Sequence, residues 1–211
     1  MSDAVRHPIF ARLYARISES GEKRGGAEHR ARLLAGIAGR VIEVGAGNGK
    51  NFRHYPETVT EVVAVEPEPT LRKLGEAESE TAAAPIHVVD GLAEDLPAED
   101  ESFDVGVVSL VLCSVRDQDR ALGELRRVIR PGGELRFYEH VVSKNRIEAR
   151  IQRALDGTFY PYVSGNDHLS RDTGAAIERN GFAIQSSDRF RFSPAVWLPP
   201  DEHILGIARR P

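Results

Sequence analysis

The sequence lacks several features, and each absence excludes a class of protein. It has a single cysteine, Cys113, so no disulfide can form within the chain, and this usage fits a cytoplasmic protein. It has no run of about 18 apolar residues, and its N-terminus has no apolar signal core. We therefore expect neither a membrane span nor secretion. The CxxC, HExxH and P-loop patterns are absent, and the histidines and acids form no short ligand cluster, so no metal site is predicted.

The composition is otherwise that of a globular protein. Apolar residues make up 41% of the chain and charged residues 28%, and 211 residues are enough for one domain with its own core. The net charge is −4. The densest basic group, "LRRVIRPGG", is more typical of the C-terminal end of a helix than of a phosphate-binding patch. We therefore expect a single domain, 1–211, that does not bind nucleic acid.

Strand-like and helix-like segments alternate through residues 40–141. The strand-like runs are continuous and apolar, which is typical of parallel strands buried on both faces. They are "RVIEVG", "EVVAVEP", "PIHVVDG", "SFDVGVVSLVLCSV" and "ELRFYEHV". The helical segments between them include "PTLRKLGEAESETAAA" and "DQDRALGELRRVIRPGG", which has Asp117 or Asp119 near its start. This alternation predicts an α/β fold, a doubly wound, Rossmann-like and mainly parallel sheet that binds ligands at the carboxyl ends of its strands.

The two ends of the chain have a different character. Residues 1–39 predict N-terminal cap helices, with a glycine-rich break at "SGEKRGGAEHR" between them. Residues 142–211 predict a substrate-side and C-terminal portion. It contains a helix at "NRIEARIQRALDG", an aromatic and polar loop at "TFYPYVSGNDHLSRDT", and a short helix for which Ser170 is a plausible N-cap. Two final strands are predicted at "FAIQSSDRFRF" and "EHILGIARR".

The stretch "VIEVGAGNGKN" brings a ligand close to bare backbone. A nicotinamide fingerprint has the spacing GxGxxG, whereas here Gly49 follows Gly47 by two residues and Lys50 stands where that pattern has glycine. Glu43 ends the strand before the loop, where a carboxylate would repel a pyrophosphate but suit a cationic ligand without phosphate. Glu66 ends the second strand and can accept hydrogen bonds from both hydroxyls of a ribose. For the loop taken alone, a purely structural strand–helix turn remains an alternative.

The motif order acid, GxGxG, acid, "DGLAEDLP", "SFDVGVVSLVLCSV" and "RPGG" resembles class I S-adenosylmethionine-dependent methyltransferases over about residues 40–141. The segments "GNGKNFRHYP", "LVLCSV", and "RPGG" followed by "EHV" are similar to the small thiol methyltransferases related to quinone and phospholipid methyltransferases. The segments "LDG", "LSRDT" and "HILGIA" match that branch more loosely. The resemblance implies S-adenosyl-L-methionine as the cofactor. It also implies a seven-stranded sheet with helices on both faces and an antiparallel C-terminal strand.

The same resemblance implies a set of cofactor-binding residues. Glu43 would order the methionine amine directly or through water, and Glu66 would bind the ribose hydroxyls. Leu92 stands where many relatives have an aspartate that contacts the adenine amine, so Asp90 or the backbone alone would make that contact here. The full set is Glu43, Gly45, Ala46, Gly47, Gly49, Asn51, Glu66, Pro67, Gly91, Leu92, Ala93, Ser109 and Leu110.

The acceptor side is less strongly indicated. His140 ends the fifth strand and is the candidate general base, with loop-fixing hydrogen bonds as the alternative role. Tyr14, Cys113, Tyr160 and His168 are candidate substrate-binding residues; packing roles are the alternatives for the tyrosines and the cysteine. Methyltransferases of nucleic-acid bases or glutamine often carry (N/D)PP(Y/F) where this chain has "SLVLCSV", which disfavours those acceptors.

The sequence therefore predicts an enzyme that transfers a methyl group to a small molecule by direct in-line displacement. A thiol, a hydroxyl or an activated carbon could be the acceptor, and a thiol with a pKa near 8.5 would need less acid–base help than a phenol near 10. The alternative is a non-catalytic S-adenosylmethionine-binding regulatory module. A nicotinamide-dependent oxidoreductase is disfavoured by the glycine spacing and by Glu43. The acceptor atom and the oligomeric state do not follow from the sequence.

Overall fold

The computed structural model of the protein describes residues 8–158 and 166–211, and its centre is a sheet of seven strands. The strands are β1 Gly39–Val44, β2 Val59–Val65, β3 Ile86–Val89, β4 Phe103–Ser109, β5 Ile129–His140, β6 Ala183–Phe192 and β7 Asp201–Arg209. Their order across the sheet is β3-β2-β1-β4-β5-β7-β6. Neighbours from β3 to β5 pair in parallel, whereas β7 runs antiparallel to both β5 and β6. The predicted fold class is confirmed, including the antiparallel C-terminal strand.

Helices cover both faces of this sheet. They are α1 Pro8–Gly21, α2 Ala27–Leu34, α3 Pro69–Ser79, α4 Gln118–Val128, α5 Arg146–Asp156 and α6 Thr173–Arg179. Successive residues of β1 point to opposite faces: Val41 joins the core that contains Leu33 and Leu34 of α2, whereas Ile42 joins the core that contains Leu122 of α4. A strand buried on both sides has to be apolar throughout, which explains the continuous apolar runs in the sequence.

The start of α6 corrects one prediction. The N-cap is Asp172, whose side chain accepts a hydrogen bond from the Ala175 amide, and not Ser170. Both the backbone N–H and the hydroxyl of Ser170 donate to Asp156 Oδ2, at 2.9 and 2.6 Å. Ser170 therefore belongs to the preceding loop, which this contact ties to the C-terminal end of α5. At α4, Asp117 is the N-cap, and this settles the choice between Asp117 and Asp119.

The junction between α1 and α2 is the glycine-rich break that the sequence predicts. Between the two helices the chain passes through a short segment, Glu22–Gly26, in which Gly25 has a non-helical backbone with a φ of +116°. Glycine adopts such an angle without steric cost, so the chain bends at this position. Arg24 Nε donates to the Ser193 carbonyl at 3.2 Å, which fixes this junction to the bend between β6 and β7. Within the described residues, no helix is both long and apolar enough to span a bilayer.

Candidate active site

The glycine loop follows β1 at the edge where the parallel strands end. The backbone amides of Gly45 and Ala46 both donate to the Val65 carbonyl, at 2.8 and 3.1 Å, which joins the loop to the end of β2. Gly45 has a φ of +68°, and a Cβ atom there would lie 2.4 Å from Val111 Cγ2. Only glycine fits, because both the backbone angle and the neighbouring side chain exclude a larger residue. The loop therefore presents bare backbone at this edge.

Glu66 lies directly beside that loop. Its Oε2 accepts a hydrogen bond from the Gly47 amide at 2.8 Å, and its Oε1 accepts one from the Glu68 amide at 2.9 Å. Burial raises the pKa of Glu66, and the two backbone donors oppose that rise. Each carboxylate oxygen keeps one more lone pair for an outside donor. The predicted ribose-binding acid thus also anchors the loop, a role that the sequence did not indicate.

Glu43 lies beneath the loop and is only 2% exposed. Its Oε1 accepts from Asn51 Nδ2 at 2.8 Å, and its Oε2 accepts from the Tyr55 hydroxyl at 2.6 Å. Burial raises the pKa of Glu43 to about 7, although both hydrogen bonds and the nearby Arg30 oppose the rise. A cation brought close to this carboxylate would lower its pKa again, so the site is suited to an ammonium group.

Arg30 is the central residue of this polar network, and the sequence analysis missed it. Its guanidinium binds Glu22 Oε1 at 2.8 Å, Asn51 Oδ1 at 2.8 Å and Ser109 Oγ at 3.0 Å. It therefore joins α2 to the glycine loop and to the end of β4. The sequence did contain an indication. Arg30 lies three and four residues before Leu33 and Leu34, so it shares one face of the helix with these apolar residues. A charged residue in such a stripe has to be paired inside the protein.

Lys50 is the only cation in the glycine loop itself, and it is already paired. Its Nζ lies 2.6 Å from Glu19 Oε1 and 3.2 Å from Glu78 Oε1. It is therefore not directed at a ligand held by the backbone of the loop. Together with Glu43 below the loop, this pairing counts against a pyrophosphate and hence against a dinucleotide.

The segment after β3 contains the residues predicted for the adenine. Ala93 is buried, and Leu92 forms an isolated bridge with Asp95. Asp90 Oδ1 accepts from Arg72 Nη1 at 3.0 Å in an exposed ion pair, which favours the backbone alternative for the adenine contact. The same edge carries the remaining predicted residues of this part, Pro67 after β2 and Gly91 after β3.

The turn after β4 is held by a buried acid that the sequence analysis also missed. Glu139 is fully buried and accepts hydrogen bonds from the amides of Val111 and Cys113, at 3.0 and 3.3 Å. Burial raises the pKa of Glu139 to about 7. Leu110 has a φ of +60°, and its amide donates to the Tyr138 carbonyl at 2.7 Å. A strained non-glycine backbone of this kind clusters at functional sites.

His140 lies at the end of β5 between two carboxylates. Its Nδ1 is 3.6 Å from Asp167 Oδ2, and its Nε2 is 3.5 Å from Asp201 Oδ2. Burial lowers the pKa of His140, but these two carboxylates raise it to about 10. The arrangement counts against the predicted general base, because a base needs a ring nitrogen that is free to take a proton from the acceptor. The alternative role fits better, since Asp167 belongs to the loop before α6.

That loop lies against the end of β4. The His168 amide donates to the Cys113 carbonyl at 2.9 Å, and Asn166 Nδ2 donates to the Ser114 carbonyl at 2.7 Å. The predicted substrate residues Cys113 and His168 are therefore brought together. Tyr14 of α1 lies over the glycine loop, since a Cβ at Gly47 would be 3.5 Å from its Cε1. The fourth predicted substrate residue, Tyr160, lies outside the described residues.

Cys113, His140 and Asp167 form a cluster that the sequence did not predict. One ligand atom from each, the cysteine sulfur, an imidazole nitrogen and a carboxylate oxygen, lie within 4.8 Å of one another. The three residues are far apart in the chain, so no short ligand motif indicates them. The expectation of no metal site rested on such motifs alone.

The strand order and the glycine loop between two acids define a Rossmann-like methyltransferase fold. A family model described as "Methyltransferase domain" matches residues 42–137. Thiol S-methyltransferase TMT1B of Mus musculus is 36% identical over 180 residues, which are 83% of this chain and 73% of that protein. Human thiol S-methyltransferase TMT1A is 34% identical over 181 residues, with the same two shares of 83% and 73%. A crystal structure of a Bacillus halodurans protein assigned as a methyltransferase has a TM-score of 0.73 at 18% identity, covering 88% of this chain and 98% of that one.

The chain belongs to the family of S-adenosylmethionine-dependent methyltransferases, and S-adenosylmethionine is its cofactor. The residues of the site fit that molecule. Gly45 lets the backbone of the loop pack closely against Val111, Glu66 keeps lone pairs for hydroxyl donors, and Glu43 supplies a buried carboxylate for a cation. The chain is thus an enzyme that methylates a small molecule.

Proposed function

We propose that the methyl acceptor of this enzyme is a small-molecule thiol. The observation that carries the proposal is the geometry of His140, both of whose ring nitrogens face carboxylates within 3.6 Å. The acceptor-side histidine therefore directs no free nitrogen at an acceptor. A thiol with a pKa near 8.5 is partly ionised at neutral pH, whereas a phenol near 10 needs a base. A thiol is thus the acceptor that this site serves best.

The relatives support the same acceptor. The mouse and human proteins are both named thiol S-methyltransferases, and the similarity to each spans 83% of this chain. The 180 matched residues are many more than the 96 residues of the methyltransferase domain model, 42–137. The match therefore also includes residues after 137, where the acceptor side lies. The thiol named for the relatives is therefore supported here by more than the shared cofactor site.

The proposed roles of the cofactor residues follow from their contacts. Glu66 binds the ribose hydroxyls through the lone pairs that Gly47 and Glu68 leave free. Glu43 holds the methionine ammonium, directly or through water, and Tyr14 closes over the glycine loop and excludes water. When bound, S-adenosylmethionine supplies a methyl group on a sulfonium leaving group, which a thiolate can take by direct displacement after its own proton has gone to water.

We also propose that the enzyme acts in the cytoplasm and on free small molecules. The single cysteine supports a reducing compartment, and the net charge of −4 gives little attraction to nucleic acid.

The test is the release of S-adenosylhomocysteine over matched panels of thiols, phenols and quinols. We expect turnover on thiols to exceed turnover on phenols of similar size, with the difference largest near pH 7. Turnover on phenols alone would refute the thiol proposal.

The cofactor residues are tested separately by calorimetric titration of S-adenosylmethionine into Glu66→Gln. Loss of a hydrogen bond to a charged group should weaken binding by about 1.5–3 kcal/mol. The matched control is Glu57→Gln, because Glu57 is an exposed glutamate on the loop before β2. An unchanged dissociation constant in Glu66→Gln would show that the ribose assignment is wrong, whatever the acceptor.

A further inference from the structure

We infer that Cys113, His140 and Asp167 form a binding site for a divalent cation of the zinc type. Each residue comes from a different element: the turn after β4, the end of β5 and the loop before α6. Their ligand atoms already lie within 4.8 Å of one another. A shift of about an ångström would bring them to the spacing of ligands about 2.0–2.3 Å from one metal ion.

The donor set selects the metal. One thiolate, one imidazole and one carboxylate are the ligands of tetrahedral zinc sites and suit borderline-soft transition metals. Calcium and magnesium take oxygen ligands, of which only Asp167 supplies any in this cluster. The site is therefore directed towards zinc and its neighbours in the first transition row.

The surroundings of His140 match those of a metal-bound histidine. Its Nδ1 points to the cluster, while its Nε2 lies 3.5 Å from Asp201 Oδ2. A histidine that ligates a metal almost always donates its other N–H to a carboxylate or carbonyl, which fixes the orientation of the ring. Asp201 is in the position of that outer partner.

Asp167 provides a second, independent observation. Its Oδ1 is buried and has no hydrogen-bond partner among the described residues. An orphaned carboxylate oxygen is costly in a protein interior, and a cation would satisfy it. The ion pair with His140 involves Oδ2, and the buried Cys113 thiol is hydrogen-bonded to the same carboxylate, so all three side chains already meet at Asp167. A metal ion would take the place of these contacts and bind all three side chains at once.

Three protein ligands leave one tetrahedral position open, as in catalytic zinc sites. A thiol acceptor would take that position as a thiolate, forming a sulfur–metal bond while its proton passes to water. This role depends on the proposed thiol acceptor, whereas binding of the metal itself does not.

The test uses cobalt(II) as a spectroscopic substitute for zinc, added to the tag-free protein. Because the chain has a single cysteine, any thiolate-to-cobalt charge-transfer absorption must come from Cys113. We expect one equivalent of cobalt to produce that absorption and one equivalent of zinc to abolish it. The absorption should vanish in Cys113→Ser, and cobalt affinity should fall at least tenfold in Asp167→Asn. The matched control is Asp188→Asn, since the Asp188 side chain is 69% exposed and lies outside the cluster.

Two results would overturn the metal site. One is the lack of a charge-transfer absorption in folded wild-type protein. The other is an unchanged cobalt affinity in Asp167→Asn. This second result would be decisive even if Cys113→Ser failed to fold. For the acceptor role, adding a small thiol to the cobalt form should intensify the absorption. An unchanged spectrum would overturn that role, while thiol-dependent release of S-adenosylhomocysteine would still support the proposed function.

Discussion

Replacing Arg30 by methionine should destabilise this protein more than most single substitutions. The Arg30 side chain is 9% exposed and its partner Glu22 is 8% exposed, so their ion pair is almost completely removed from water. Methionine keeps much of the volume but leaves Glu22 as an uncompensated buried charge. It also removes the donor that Asn51 Oδ1 and Ser109 Oγ share.

The magnitude follows from these contacts. Breaking a buried ion pair by removing one partner costs about 3–5 kcal/mol, because the other charge stays buried. A domain of ordinary stability has a free energy of unfolding of about 5–15 kcal/mol, so the loss is a large part of the total. At about 2–4 °C for each kcal/mol in a chain of this size, the melting temperature should fall by roughly 6–20 °C.

The assay is urea unfolding followed by circular dichroism, with calorimetry for the melting temperature. The matched control is Arg32→Met, two residues along the same helix. Arg32 pairs with Asp188, but these side chains are 45% and 69% exposed, so the loss should stay within about 1 kcal/mol. The double variant Arg30→Met/Glu22→Gln should recover part of the lost stability, because it no longer buries a charge. A loss below about 1 kcal/mol in Arg30→Met, equal to that of Arg32→Met, would refute the reasoning.

Three further predictions concern the glycine loop and Glu43. Gly45→Ala should abolish cofactor binding in calorimetric titration. The control Gly36→Ala should cost only about 1–2 kcal/mol of stability, because Gly36 has a similar φ of +72° but nothing within 4 Å of its would-be Cβ. If the two substitutions had equal effects, crowding by Val111 would be unimportant. Burial raises the pKa of Glu43 from 4.5 to about 7, so the folded state holds this proton more tightly than the unfolded state does. The free energy of unfolding should therefore fall as the pH rises from about 4.5 to 7. Urea unfolding at a series of pH values would contradict this if Glu43→Gln and the wild type lost stability with pH at the same rate. Tyr55→Phe should lose about 1–3 kcal/mol at pH 8, where the Glu43 carboxylate needs its donor, and less at pH 5; a loss independent of pH would count against that explanation.

Much of the fold was predictable because it depends on local patterns. Strands buried on both faces are apolar throughout, and the glycine loop needs residues without a Cβ, so both are visible in short stretches of sequence. The predictions that failed concern competition between neighbours. Ser170 is a good N-cap by residue type, but Asp156 takes its hydroxyl and leaves Asp172 to cap α6.

The site was predictable only in part, for the same reason. Glu43, Glu66 and the glycines lie next to strands whose ends the sequence reveals. Arg30 and Glu139 act through contacts with residues far along the chain. The apolar stripe around Arg30 indicates that this residue is paired, but no local motif indicates with which residues.

The sequence by itself determined the order of the strands and helices along the chain. It also determined the glycine loop and the two acids at the ends of β1 and β2. These features depend on residue types at fixed spacings, which local sterics and burial translate directly into structure. Only the tertiary structure decided that His140 lies between two carboxylates, and that Cys113 and Asp167 meet beside it. Those contacts join the end of β4, the end of β5 and the loop before α6. The sheet brings these elements to one edge, although the chain separates them.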